Sequence, residues 1–186
     1  DANARDADVQ QALLPEKLPE IPGYDAHAFS RMANRVGGDY YDLFPINSDR
    51  SRWFIIVADV AGHGFPSALV MTAVRSAVRI LAPKHESPAG LLAELRRFME
   101  DHHPSGPFVT AACGILNSTD HTLTLASAGH PAVLHRPART QNVWRIKPKG
   151  RPVGIGAGSE PTDEVFTTQA VTLAPGDSVL LYTDGL

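Results

Sequence analysis

The order in which two hydrophobic periodicities follow each other limits the fold of this chain more than any other feature. Strand-like patterns cover Tyr24 to Met32, Tyr40 to Ile46 and the apolar run Trp53 to Ala58. Two helical patterns then come directly after one another, and period-two alternation returns from Phe108 onward. A doubly wound parallel sheet requires strands that alternate with helices, and this alternation is absent. The sequence therefore predicts an α+β fold built on antiparallel sheets.

The two predicted helices are defined by their composition and by their ends. The segment 67–82 consists largely of good helix formers. Four of its apolar residues fall on one helical face: Leu69, Ala73, Ala77 and Leu81. The second helix begins with Ser87 as N-cap and Pro88 at the first helical position, and it ends before Pro104. A short connection between them predicts an antiparallel helix pair.

Composition excludes several classes of protein. The 186 residues are 43% apolar, which is enough for one domain with a real core. With 17 basic and 20 acidic side chains there is no basic surface for nucleic acid. No apolar run approaches the length of a membrane span, and the first residues lack the pattern of a signal peptide. We therefore expect a soluble, cytoplasmic protein in which Cys113, the single cysteine, is a buried small residue.

Three stretches share one arrangement, in which an aspartate stands beside glycine where a strand begins or ends. They are "VGGDYYD", "VADVAGHG" and "LLYTDGL", with Asp39, Asp59 and Asp184 as the acids. Any one of them alone is typical of a plain turn. Together they suit a divalent cation, because Mg²⁺ and Mn²⁺ prefer carboxylate and carbonyl oxygens. The residues by themselves leave the turn and the metal site as open alternatives.

Longer motifs around these acids resemble a known family. They are "DVQQALLPEKLPEIPGYDAHAFSRMANRVGGDYYD", "ADVAGHGFPSALVM", "ASAGHPAVLHRP", "GRPVGIG" and "LLYTDGL", and they span essentially the whole chain. In this order they resemble the PPM superfamily of metal-dependent serine/threonine phosphatases, in its bacterial SpoIIE/RsbU-like branch. The resemblance implies a four-layer α-β-β-α sandwich of two antiparallel sheets flanked by helices. It also implies a phosphatase domain over residues 23–186, preceded in residues 1–22 by a helix and connector from an upstream sensory region.

The resemblance implies a reaction as well. Two Mn²⁺ or Mg²⁺ ions would flank a water that attacks the phosphorus of a phosphoserine or phosphothreonine. Asp59 would bridge the two ions, and the Val60 carbonyl and Asp184 would bind one of them. Asp39 would serve the other ion. The reaction needs no covalent phosphoenzyme.

Other polar residues near these motifs have different expected roles. His63 is a candidate general acid toward the departing serine oxygen, and a hydrogen bond that fixes its turn is the alternative. Asp42 falls three residues past the first aspartate of its strand, so it would face the opposite side and be structural. His130 is expected to be structural too. His102 and His103 suit the end of a helix rather than a metal site.

The family pattern continues after "TDGL" with a helix, a strand and a further aspartate, whereas this sequence stops at Leu186. We therefore expect this form to bind metal poorly and to have little activity. The resemblance suggests a phosphorylated STAS-domain anti-anti-sigma factor as the substrate. It also suggests that movement of the two helices regulates the activity, and it leaves a homodimer open. A non-catalytic pseudophosphatase that binds a partner is the alternative. A nucleotide-binding domain is a weak third alternative, because the run "VGIGAG" lacks the full glycine spacing of a dinucleotide-binding motif.

Overall fold

The computed structural model describes residues 13–30, 37–102, 106–155 and 165–185. Eight strands and two α-helices lie in these ranges. The strands are β1 Asp39–Pro45, β2 Arg52–Val60, β3 Val109–Asn117, β4 Thr122–Ala128, β5 Val133–Arg136, β6 Trp144–Ile146, β7 Thr168–Thr172 and β8 Ser178–Leu180. The helices are α1 Phe65–Leu81 and α2 Pro88–His102, joined through a 3-10 turn at Ala82–Lys84. Both helices follow β2 and precede β3, as the periodicities predicted.

The strands form two antiparallel sheets. A five-stranded sheet has the order β1-β2-β3-β4-β7, and a three-stranded sheet has the order β6-β5-β8. This confirms the α+β class and the two antiparallel sheets. The predicted strand from Tyr24 was wrong: residues 24–30 form no strand, and Tyr24 pairs only with Ile21 in an isolated bridge. The rest of that segment and the predicted helix near residues 6–14 fall largely outside the described residues.

The five-stranded sheet is apolar on both faces because alternate side chains of its strands enter two different cores. One core lies between this sheet and the helices, and its largest sheet residues are Tyr40, Phe44, Phe54 and Ile56. The other core faces the three-stranded sheet and includes Leu43, Trp53, Leu123, Val133 and Ile146. Helices α1 and α2 both contact the five-stranded sheet. The described residues thus supply three of the four expected layers.

Helix α1 buries a face that overlaps the predicted one only in part: Ala77 is buried and Leu81 packs against the core. Its buried residues are Ser67, Ala68, Val70, Met71, Val74, Ala77 and Val78. Leu69, placed on the core face from its spacing, is 57% exposed. The helix is apolar over most of its circumference, so spacing alone does not identify the side that meets the sheet.

Helix α2 begins as predicted, and β3 packs directly beneath its start. The Ser87 hydroxyl accepts a hydrogen bond from the Ala89 backbone N–H at 3.2 Å, which satisfies one of the free donors of the first turn. Cys113 on β3 is fully buried, and its thiol lies 3.8 Å from the Pro88 carbonyl oxygen. Burial raises the pKa of this thiol, which fits the structural role predicted for it.

One stretch, Phe65–Lys84, is long and apolar enough by composition to cross a membrane. This corrects the expectation that no apolar run approaches that length. The buried residues of α1 within it pack against the five-stranded sheet, and its Arg79 pairs with a buried aspartate of β1. Such contacts are typical of a core helix in a globular domain.

Candidate functional site

Strand register places the first two predicted acids side by side. Asp39 at the start of β1 lies opposite Asp59 near the end of β2, and Asp59 lies opposite Thr110 on β3. Residues directly opposite each other in antiparallel strands project from the same face of the sheet. The three side chains therefore form a row across three strands, on the face that looks toward the three-stranded sheet.

Gly38 explains why glycine precedes this row. Its carbonyl oxygen accepts a hydrogen bond from the Val60 N–H at 3.2 Å. A Cβ atom at this position would lie 2.3 Å from the Val60 carbonyl oxygen and 3.1 Å from Asp59 Oδ1. Any side chain here would displace the carbonyl and the carboxylate that were predicted as ligands, so the close approach of the two strands requires glycine.

The segment after β8 reaches the row from the other sheet. The Thr183 hydroxyl lies 3.4 Å from Asp39 Oδ2 as a hydrogen-bond donor. The Tyr182 carbonyl oxygen lies 3.0 Å from His130 Nε2, and His130 Nδ1 lies 2.9 Å from Thr110 Oγ1. These contacts connect β1 and β3 of the larger sheet to the chain that carries Asp184.

His130 is neutral and has one defined tautomer. It is almost fully buried, and burial lowers its pKa to about 4 despite the hydrogen bond to the Tyr182 carbonyl. A carbonyl oxygen can only accept, so Nε2 carries the hydrogen and Nδ1 accepts from the Thr110 hydroxyl. The ring is therefore a fixed bridge between β3 and the segment after β8, which supports the structural role predicted for His130.

These contacts enclose one cleft of about 400 Å³ between the two sheets. Its lining combines polar side chains with small or apolar ones. The lining residues are Asp59, Ala61, Phe108, Thr110, Gly129, His130, Pro131, Lys147 and Asp184. Two of the predicted acids thus line the same cleft, and Asp39 lies beside Asp59 at its edge.

Negative charge is concentrated at this cleft. Burial raises the pKa of Asp59 to about 6, with further contributions from the charges of Asp39 and Asp184. Partial burial likewise raises the pKa of Asp39, the Thr183 hydrogen bond opposes that shift, and the charge of Asp184 adds to it. The three carboxylates therefore repel one another in the folded protein, and a bound cation would relieve that repulsion.

The donor set fits a hard divalent cation in type, because it consists of carboxylate oxygens with a backbone carbonyl nearby. Among the described residues, no group of three or more His, Cys, Asp or Glu side chains is already gathered at the spacing of a formed metal site.

The predicted general acid is less well supported by its surroundings. His63 is exposed in the turn between β2 and α1, and it hydrogen-bonds to no residue that the structure describes. It is absent from the cleft lining. Neither the hydrogen bond proposed to fix the turn nor a contact with the cleft is therefore present, and its role as an acid stays a prediction.

Asp42 lies on the opposite face of β1 from Asp39, as its spacing predicted. Its buried carboxylate accepts two hydrogen bonds from Arg79 of α1, at 2.7 and 2.6 Å, and one from the Tyr40 hydroxyl at 2.9 Å. Paired contacts of this geometry are strong and directional. Asp42 thus attaches α1 to β1 and is structural. His102 stacks on Phe98 within α2, while His103 lies outside the described residues.

The structure also brings to the cleft residues that sequence reasoning did not single out. Thr110, Lys147 and Thr183 belong to three separate strands or strand ends. Thr110 and Lys147 lie outside the recognised motifs, and Thr183 lies within "LLYTDGL" without itself being singled out, because threonine and lysine are ordinary residues in exposed strands. Only the strand register and the packing of the two sheets give them their positions.

The family model described as Stage II sporulation protein E (SpoIIE) matches residues 49–186, which is most of the chain and includes Asp59 and Asp184. This chain belongs to the SpoIIE family. Its relative phosphoserine phosphatase RsbU of Bacillus subtilis is 31% identical over 180 residues, covering 97% of this chain and 51% of RsbU. The SpoIIE-family chain therefore spans about half the length of that relative.

Two solved structures resemble the fold of this SpoIIE-family domain. The SiaA-PP2C domain of Pseudomonas aeruginosa has a TM-score of 0.72 at 22% identity, covering 96% of this chain and 68% of that one. RsbX in complex with magnesium has a TM-score of 0.63 at 18% identity, covering 81% and 68%. At these identities the structures confirm the PP2C-like fold alone.

Proposed function

We propose that this SpoIIE-family domain is a metal-dependent phosphoserine/phosphothreonine protein phosphatase of bacterial signalling. The observation that carries the proposal is the meeting of Asp59 and Asp184 in one cleft, with Asp39 beside them, although the three come from distant parts of the chain. The name of the relative RsbU, phosphoserine phosphatase, supports the reaction class. The magnesium in the RsbX structure supports a hard divalent cation.

Two Mn²⁺ or Mg²⁺ ions are the proposed cofactors. Asp39, Asp59, Asp184 and the carbonyl oxygen of Val60 are the residues that would hold them. Bound ions of this kind lower the pKa of a coordinated water and neutralise charge on a phosphoryl group. Two further residues position these ligands: the Thr183 hydroxyl orients Asp39, and Gly38 leaves room for the carbonyl of Val60. His63 is the proposed proton donor to the leaving oxygen.

The proposed biological setting rests on the resemblance to the SpoIIE/RsbU-like branch. We place the domain in the cytoplasm, downstream of a sensory region joined through residues 1–22. The proposed substrate is a phosphorylated STAS-domain anti-anti-sigma factor, whose dephosphorylation would release a sigma factor. Movement of α1 and α2 is the proposed means of regulation, and a homodimer is left open.

The test is phosphate release by the full-length protein from p-nitrophenyl phosphate and from a phosphorylated STAS protein, with Mn²⁺ or with EDTA. We expect turnover that depends on Mn²⁺ and is abolished in Asp59→Asn. Asp49→Asn is the matched control, because Asp49 is an exposed aspartate of a hairpin loop, far from the cleft lining, whose carboxylate accepts hydrogen bonds from Ser51. Equal, metal-independent background in all three proteins would instead support a pseudophosphatase that only binds its partner.

A further inference from the structure

The cleft contains a basic side chain whose function the metal ligands do not explain. Lys147 directly follows β6, so it approaches the cleft from the three-stranded sheet, whereas Asp59 and Thr110 belong to the five-stranded sheet. His130 in the same lining is neutral, because burial lowers its pKa to about 4. Lys147 is therefore the single cation among the cleft-lining residues that the structure describes.

This ammonium group is exposed and forms no ion pair within the described part of the chain. Its charge acts inside the cleft. Burial is the main cause of the lowered pKa of His130, and the charge of Lys147 lowers that pKa further. The ammonium of an exposed lysine that makes no ion pair is hydrated and can bind an incoming anion. Lys147 borders a cleft with Asp59 and Asp184 and forms no ion pair with either acid.

We infer that Lys147 binds the nonbridging oxygens of the substrate phosphoryl group. The inference rests on the proposed function and deepens it by assigning a substrate-binding residue. A phosphomonoester carries between one and two negative charges at neutral pH and presents three acceptor oxygens. A lysine suits this target, since its long stem is flexible and its compact ammonium has three donors.

The experiment compares four full-length proteins: wild type, Lys147→Met, Lys147→Arg and Lys149→Met. Lys149 is the matched control, because it is an exposed lysine on the same segment that does not line the cleft. The first measurement is competitive inhibition by inorganic phosphate, together with KM and kcat for a phosphoserine peptide. The second is equilibrium binding of that peptide to each protein, followed by fluorescence anisotropy. Thermal melts verify that all four are folded.

Loss of the charge should raise the inhibition constant of phosphate and the KM by about tenfold or more, as expected for one hydrogen bond to a charged group. Lys147→Arg should recover most of the affinity, and Lys149→Met should match the wild type. The affinity for Mn²⁺ should stay within about twofold of the wild-type value, since the proposed ligands are unchanged.

Two results would overturn the inference. In one, Lys147→Met leaves the affinities for phosphate and peptide unchanged. In the other, the variant changes Mn²⁺ affinity and leaves phosphate affinity alone, which would make Lys147 a counter-ion of the carboxylates. Failure of the proposed function is a separate result, namely absence of Mn²⁺-dependent turnover in the wild type. Peptide binding to the same four proteins still decides the role of Lys147 in that case.

Discussion

Replacing Asp59 with asparagine should stabilise the metal-free protein while it removes the proposed activity. Burial and two neighbouring acids raise the pKa of Asp59 from 3.8 to about 6. Because the folded-state pKa is raised, the protonated form contributes stability below pH 3.8, and that stability is lost as pH rises through 6. The wild type thus carries an unfavourable charge at pH 8, and asparagine avoids it.

The size of the effect follows from that shift. Two pKa units correspond to about 3 kcal/mol for a fully enclosed group. Asp59 is only half-buried, and solvent screening reduces the value to about 1 kcal/mol. We expect Asp59→Asn to raise the free energy of unfolding in EDTA by that amount at pH 8. The difference should shrink toward zero as pH falls from 7 to 4.

Urea unfolding at several pH values, with EDTA, measures this difference. Asp49→Asn is the control: hydrogen bonds from the backbone and hydroxyl of Ser51 lower the pKa of Asp49, so its replacement should slightly destabilise the protein at pH 8. Excess Mn²⁺ should reverse the order of wild type and Asp59→Asn, because a ligand stabilises the form that binds it more tightly. An Asp59→Asn protein that is less stable than wild type at pH 8 in EDTA would refute the reasoning.

Three further substitutions test the supports of the cleft. Gly38→Ala should destabilise the protein by about 2 kcal/mol and abolish turnover, because its Cβ would lie 2.3 Å from a carbonyl oxygen. Gly37→Ala is the control and should be tolerated, because the space around Gly37 is open. Equal urea midpoints for the two variants would contradict this prediction. His130→Ala should cost about 3 kcal/mol in urea unfolding, because it removes two buried hydrogen bonds, and a loss below about 1 kcal/mol would refute the bridge. Asp42→Asn should cost about 2 kcal/mol by weakening the contact with Arg79, and it should leave Mn²⁺ affinity nearly unchanged; a large loss of affinity would instead give Asp42 a place in the site.

The strand predicted from Tyr24 shows where pattern reading failed. Tyr24 and Ala26 do pack against the core that faces the three-stranded sheet, so their alternation correctly indicated one-sided burial. Among the residues that the structure describes, the backbone of 24–30 nevertheless pairs with no strand, and β1 pairs with β2. Alternating burial shows that a segment packs with one side on a core, but the backbone hydrogen bonds of a strand depend on a partner that the local sequence does not specify.

The buried face of α1 was predicted only in part for a related reason. A helix with apolar residues around most of its circumference can bury several faces with similar hydrophobic gain. The ion pair between Arg79 and the buried Asp42 contributes to selecting one of them, because it fixes the rotation of α1 against β1. That pair joins residues 37 positions apart, and helix periodicity contains no information about it.

The sequence by itself determined the antiparallel α+β class and most of the order of the elements, because periodicity and capping residues are local properties, and its glycine-flanked aspartates marked three acids as candidate ligands. Only the tertiary structure decided that Asp39 stands opposite Asp59 and Thr110, since strand register depends on which residues pair across a sheet. The packing of the second sheet then brought Thr183 to Asp39, across 144 positions of the chain, and Lys147 to the same cleft. Such contacts arise from the burial of two sheet faces against each other, which no short stretch of sequence specifies.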